Sequence, residues 1–170
     1  MGFIKNYGLF FNIDEIFWGQ QKNSGSILGL QADKKKSKPV DFRDQRGVYV
    51  LYAGYEIVYV GQVADQELIV RLRQHFKDDL AGRWDRFSWF GVRSVTQKME
   101  LGNYNSAAHV GMKQVLNHIE AILIYSAEPG LNRQGGRFGS SVKQFVQVRD
   151  GRLGPTHQEM IRELHATNQR

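Results

Sequence analysis

The chain of 170 residues contains no cysteine. That excludes disulfides, zinc–thiolate sites and a cysteine nucleophile, and it suits a reducing compartment. A run of apolar residues long enough to cross a membrane is also missing. The first 18 residues are apolar in part, but Lys5, Asn6, Asp14 and Glu15 interrupt them. This segment is neither a secretory hydrophobic region nor a membrane span. The expectation is a cytoplasmic protein with no membrane partner. No internal repeat, helix-turn-helix spacing or zinc-finger pattern occurs, so nothing argues for recognition of a defined base sequence.

What is present is enough apolar material for one packed domain: 41% of residues are hydrophobic and 24% charged. Lys and Arg outnumber Asp and Glu by 23 to 17, a net charge of +6. A basic balance suits a phosphate-binding surface without proving one. The most biased stretch, Lys34-Lys35-Lys36-Ser37-Lys38 before Pro39, reads as a solvated loop.

Hydrophobic spacing gives the element order. Asn12 to Gln20 is expected to be a short helix with Ile13, Ile16 and Phe17 on one side, and Ser26 to Gln31 a strand. Gly47 to Ala53 and Ile57 to Gly61 are rich in Val and Tyr and flank Gly54, a hairpin signal. Asp65 is the expected N-cap of a helix whose Leu68, Leu72, Phe76 and Leu80 form a buried stripe. Phe87 to Val95 reads as a third strand. Val110 to Ala127 reads as a helix with Val115, Ile119, Ile122 and Leu123 inward, ended by Pro129-Gly130. Gln144 to Arg149 is a late strand, and Thr156 with Glu159 forms a capping box. The middle order, β-β-α-β-α, argues for α+β rather than a doubly wound sheet. The expected fold is a three-stranded antiparallel sheet flanked by helices. The core is 46–134, with an N-terminal extension over 1–45 (short helix, strand, basic loop) and a C-terminal one over 135–170 packing on or beside it.

The chemistry-bearing residues fall in this middle. Gly47-Val48-Tyr49 is followed ten residues on from Tyr49 by Tyr59-Val60-Gly61. Arg71 and His75 are four apart on a helix and point the same way. Glu120 lies among Ile119, Ala121, Ile122 and Leu123, where a carboxylate is costly to bury unless it is paired or binds a metal. Asn132 lies twelve residues beyond Glu120. Each residue alone also fits a structural role. Pairing Tyr49 directly opposite Tyr59 puts both on one sheet face and leaves Ala53-Gly54-Tyr55 as a three-residue loop. A two-residue loop would put them on opposite faces. His109 and His118 invite reading as further metal ligands, but His118 and Glu120, two apart on a helix, do not face together.

Over about Arg46 to Asn132, this ordered set resembles the GIY-YIG nuclease family. The resemblance implies a metal-dependent endonuclease acting on DNA phosphodiesters, with Tyr49, Tyr59, Arg71, His75 and Glu120 catalytic. Glu120 would hold one Mg²⁺ or Mn²⁺. Arg71 would hold the scissile phosphate, and Tyr49, helped by Tyr59, would activate water. His75 would share the proton transfer or contact the phosphate. Gly47, Gly61, Gln62, Arg73, Asn132 and Arg133 would contact substrate or shape the site. The pattern departs in having Val in both tripeptides, Gln62 after the second, and a long connection from Gly61 to Arg71. Arg73 therefore competes with Arg71, which is preferred because Arg71 and His75 then reproduce the expected helical pair. A homodimer is one way to cut both strands; an impaired DNA-binding module of the same fold is the alternative.

Overall fold

The computed structural model describes residues 3–19, 24–34, 38–63, 65–103, 112–127, 138 and 140–167, with side chains at 112–117, 120 and 167 outside the description. Among these residues seven strands form one mixed sheet: β1 (Asn6–Asn12), β2 (Leu28–Gln31), β3 (Val40–Asp41), β4 (Gly47–Ala53), β5 (Glu56–Val63), β6 (Arg86–Gly91) and β7 (Lys143–Gln147). The α-helices among the described residues are α1 (Leu68–Gln74), α2 (Met112–Ala127) and α3 (His157–Thr167). The α+β class holds. The sheet is not three-stranded, however: its order is β3-β2-β7-β1-β6-β4-β5. The expected three strands form one end of it, with β4 between β5 and β6. Both flanking segments complete the same sheet. β1 pairs antiparallel with β6 and parallel with β7, and β7 then pairs with β2.

The expected helix over Asn12 to Gln20 is absent. The first part of the N-terminal segment is β1, and Ile13–Glu15 make only a single 3-10 turn, capped by the Asn12 side chain on the Asp14 N–H at 2.9 Å. Ile16 is already extended and Phe17 bridges to Ser26. Apolar residues three and four apart suit one tight turn as well as a helix, so the spacing does not separate the two. The third strand ends at Gly91 rather than Val95.

Alternation along β4 divides the core. Tyr49 and Leu51 face a cluster with Phe11, Phe42, Phe87, Trp89 and the α1 residues Leu68, Ile69 and Leu72. Val50 and Tyr52 face the other way, toward Ile4, Tyr7, Phe90 and the α2 residue Ala121. The two helices therefore cover opposite faces. In α2, His118 and Ala121 are buried, whereas Ile119 and Leu123 are 48% and 61% exposed. That corrects the expected inward set; Ile122 packs at the core margin and the Val115 side chain lies outside the description. A helix apolar on most sides does not fix its buried face by spacing. The Thr156–Glu159 capping box is formed, with each residue's backbone N–H donating to the other's side chain (2.6 and 3.2 Å).

The chain after β7 is pinned by Asp150, which is 4% exposed. Its carboxylate accepts from Ser26 Oγ and from Arg152 Nε and Nη2 at 2.9 and 2.6 Å. The Arg152 hydrogen bonds, more than Ser26, hold this carboxyl far below the usual range. A depressed carboxyl stabilises the fold above its unfolded pKa of about 4 and loses that contribution as pH falls toward its folded value. Asp150→Asn should therefore cost about 1.5–3 kcal/mol at pH 7 by urea unfolding. The difference from wild type should shrink below about pH 4.

Candidate active site

The β4–β5 hairpin places the two tyrosines by a route different from the expected turn. Ala53 pairs with Glu56, so the loop is the two residues Gly54 and Tyr55, with Gly54 at φ +61°. A two-residue loop alone would separate the tyrosines. A bulge then follows, because Tyr52 pairs with Ile57 but Leu51 pairs with Tyr59, which leaves Val58 unmatched. The extra residue reverses the alternation. Tyr49 and Tyr59 share a face after all, offset diagonally, with ring centroids 6.1 Å apart. Directly opposite Tyr49 is Gly61. A Cβ there would lie 2.3 Å from the Tyr49 hydroxyl oxygen, so Gly61 makes the space the ring fills.

Helix α1 brings the other groups. Leu68, Ile69 and Leu72 are buried against the sheet and fix its rotation. It starts after Glu67 rather than at Asp65 and ends at Gln74, so the expected stripe stops short: Phe76 is 36% exposed. Arg71 and His75 project toward β4. His75 is 1% exposed, and its Nε2 lies 2.8 Å from the Tyr49 hydroxyl. Arg71 Nε donates to the same hydroxyl oxygen at 3.2 Å, and Arg71 Nη1 to Gln74 Oε1 at 2.9 Å. The other ring nitrogen, His75 Nδ1, is 2.7 Å from Asp78 Oδ2.

These contacts fix the proton positions. An ionised carboxylate only accepts, so His75 Nδ1 carries hydrogen. In the neutral ring Nε2 is then an acceptor, and the Tyr49 O–H donates to it. The chain runs from Arg71 through Tyr49 and His75 to Asp78. Burial pushes the Tyr49 hydroxyl up to about 12, against the opposing hydrogen bond and charge of Arg71. The hydrogen bond to Tyr49 raises Arg71. Asp78 is lowered, chiefly by the Leu80 N–H and then by His75. Asp78 was not anticipated. Its only sequence signal is a position three beyond His75 on the turn that follows α1, which many surface aspartates share.

The structure gathers Tyr49, Tyr59, Arg71 and His75; the Tyr59 ring lies 5.0 Å from that of His75. It separates the competing arginines. Arg73 donates to the Trp18 and Ser24 carbonyls at 3.2 and 3.4 Å, away from Tyr49. Gln62 is exposed and pairs with Val48, one residue out of phase with Gly61, so it lies on the opposite face. Gly47, at φ +143°, has no space for a side chain: a Cβ would lie 2.0 Å from the Phe90 carbonyl oxygen. Its role is close packing of β4 on β6. Glu120 is carried by α2, on the other face of the sheet, and its side chain is outside the description. Asn132, Arg133 and His109 lie outside the described residues. The His118 ring is fully engaged: Nδ1 accepts from the Ile4 N–H at 3.0 Å and Nε2 lies 3.2 Å from the Phe138 carbonyl oxygen. Burial lowers its pKa.

Among the described residues no three His, Cys, Asp or Glu side chains converge as metal ligands. Mg²⁺ is commonly held by one or two carboxylates with waters and substrate phosphate. The Glu120 side chain, the carboxylate expected to serve in that manner, is outside the description. No protein-family model matches the chain, and neither a curated protein nor a solved structure matches it significantly.

Proposed function

We propose that this chain is a DNA endonuclease of the GIY-YIG type. The observation that carries the reading is the Tyr49 hydroxyl, held between Arg71 Nε at 3.2 Å and His75 Nε2 at 2.8 Å, with Asp78 behind the ring. Such a hydroxyl takes a proton from water as it passes its own to His75. The water oxygen then bonds to phosphorus, the bond to the 3′ oxygen breaks and that oxygen takes a proton from solvent, leaving 5′-phosphate and 3′-hydroxyl ends, while His75 returns its proton to solvent. Asp78 stabilises the imidazolium so formed, as an acid orients the base in a catalytic triad. Arg71 offsets charge growing on the phosphate oxygens. Tyr59 borders the same space. By the family resemblance Glu120 would hold Mg²⁺ or Mn²⁺, which when bound offsets charge on the phosphate and leaving oxygens. Since α2 covers the sheet face opposite Tyr49, it would have to do so past β5, the edge strand that α2 contacts.

DNA as the partner rests on the net charge of +6 and on this site's suitability for a phosphodiester. Arg133 and Asn132 would add backbone contacts. One site makes one nick, so cutting both strands needs a homodimer or two encounters. The cysteine-free composition suits the cytoplasm, and among the described residues no helix is long and apolar enough to cross a membrane.

Incubation with plasmid and branched DNA tests the reading. Wild type should nick with Mg²⁺ or Mn²⁺ and not with EDTA, and Glu120→Ala should lose activity. Equal activity in Glu120→Ala, or in EDTA, would remove the metal from the proposal. Asp78→Asn keeps an acceptor for His75 Nδ1 but loses the charge. It should slow cleavage about a hundredfold or more while circular dichroism stays that of wild type. One observation favours a second reading, a DNA-binding module without turnover: burial makes the Tyr49 hydroxyl a poor acid. That reading gives salt-dependent DNA binding and no cleavage under any metal condition.

A further inference from the structure

A groove of about 560 Å³ adjoins this site, lined by Trp18, Val70, Arg73, Gln74, Phe76 and Lys77. We propose that it is a subsite for an unpaired base, so that the substrate is DNA with at least one unstacked nucleotide beside the scissile phosphate. The inference rests on the nuclease reading for its link to cleavage, but the groove's chemistry stands by itself.

Three observations converge on it. The groove wall is aromatic: Trp18 meets Phe76 edge-on at 4.8 Å, and Phe76 stacks on Trp84 at 5.0 Å. Trp84 is 4% exposed and backs the wall, whereas Phe76 keeps 36% of its surface open. The charge is of one sign: Arg73 and Lys77 line the groove, and among the described residues no acidic one does. Arg73 is held in place by its bonds to the Trp18 and Ser24 carbonyls. The groove is also contiguous with the catalytic groups, because Gln74 lines it and accepts from Arg71 Nη1 at 2.9 Å. Aromatic faces with interleaved cations bind single strands by stacking and phosphate attraction. A fully paired duplex buries its base faces and cannot offer one to Phe76. An unpaired base can enter while its phosphate stays at Arg71.

The test measures binding in EDTA with a labelled oligo-dT strand and a duplex of equal length. Phe76→Leu keeps apolar volume and removes the ring face. It should lower the single-strand-to-duplex affinity ratio about tenfold. Lys77→Gln, at an exposed position, should reduce the salt slope for the single strand by about one phosphate contact. An unchanged ratio in folded Phe76→Leu overturns the subsite. If that variant does not fold, an unchanged slope in Lys77→Gln does so. Cleavage with Mg²⁺ is read in parallel on duplexes with and without one unpaired residue. Wild type that cuts both equally, with an unaltered binding ratio in Phe76→Leu, loses the subsite and keeps the nuclease. A lowered ratio with no cleavage of any DNA keeps the single-strand site and removes the nuclease.

Discussion

Tyr49→Phe is expected to slow DNA cleavage about a hundredfold to ten-thousandfold, the usual range for losing a positioned proton-transfer group. The ring stays, so the packing over Gly61 and against His75 is kept. What disappears is the one oxygen on which Arg71 and His75 converge. Two polar groups lose a partner, and the stability cost should be about 1–2 kcal/mol, far too small to unfold the protein. Arg71→Ala should lose a comparable factor, about a hundredfold to a thousandfold, by removing the phosphate's charge partner. The two losses should not multiply fully, since Arg71, besides facing the phosphate, also holds the Tyr49 hydroxyl. The pH dependence has a definite sign. The Tyr49 hydroxyl is pushed up to about 12 by burial, so the folded protein keeps it neutral where a free tyrosine ionises. Its contribution to stability is complete below the unfolded pKa of about 10 and is lost as pH rises toward the folded value. Alkaline unfolding of Tyr49→Phe should therefore be less steep than that of wild type, measured by circular dichroism from neutral to high pH.

The second large effect is structural. Gly47→Ala should destabilise the fold by about 3–5 kcal/mol, combining a disfavoured backbone conformation with a core clash. β4 is the strand through which β5 joins the rest of the sheet, and Gly47 pairs with both Val63 and Gly91. At φ +143° its added Cβ would strike the Phe90 backbone carbonyl, which cannot rotate away as a side chain could. Thermal unfolding should show the loss even without DNA. A folded Gly47→Ala protein of wild-type Tm, defective only in DNA binding, would instead assign Gly47 to substrate contact.

Legibility in the sequence tracked how local each feature is. The β4–β5 hairpin was readable because Val and Tyr cluster on both sides of Gly54. The bulge at Val58 was not, since register depends on pairing and no composition marks it. The shared face of Tyr49 and Tyr59 followed from function, and the structure reaches it through a two-residue loop and a bulge. Arg71 and His75 were readable as a helical pair, because four-residue spacing is a local property. The same spacing favours Arg71 over Arg73, but that Arg71 meets Tyr49 depends on how α1 packs on β4, which is not a local property. β1 escaped notice although it lies between β6 and β7. Its partners are about 80 and 137 residues away, at Trp89 and Phe145 opposite Gly8. Asp78, the first of two adjacent aspartates, carries no motif, yet it fixes which nitrogen of His75 bears the proton.

The most direct test of the Tyr49 relay compares initial rates of DNA cleavage by wild type and Tyr49→Phe, with Mg²⁺, on a labelled strand containing one unpaired residue. The account predicts 5′-phosphate and 3′-hydroxyl ends from wild type and a rate at least about a hundredfold lower from the variant. Equal rates for the two proteins, or no cleavage by folded wild type with any divalent ion, would contradict it.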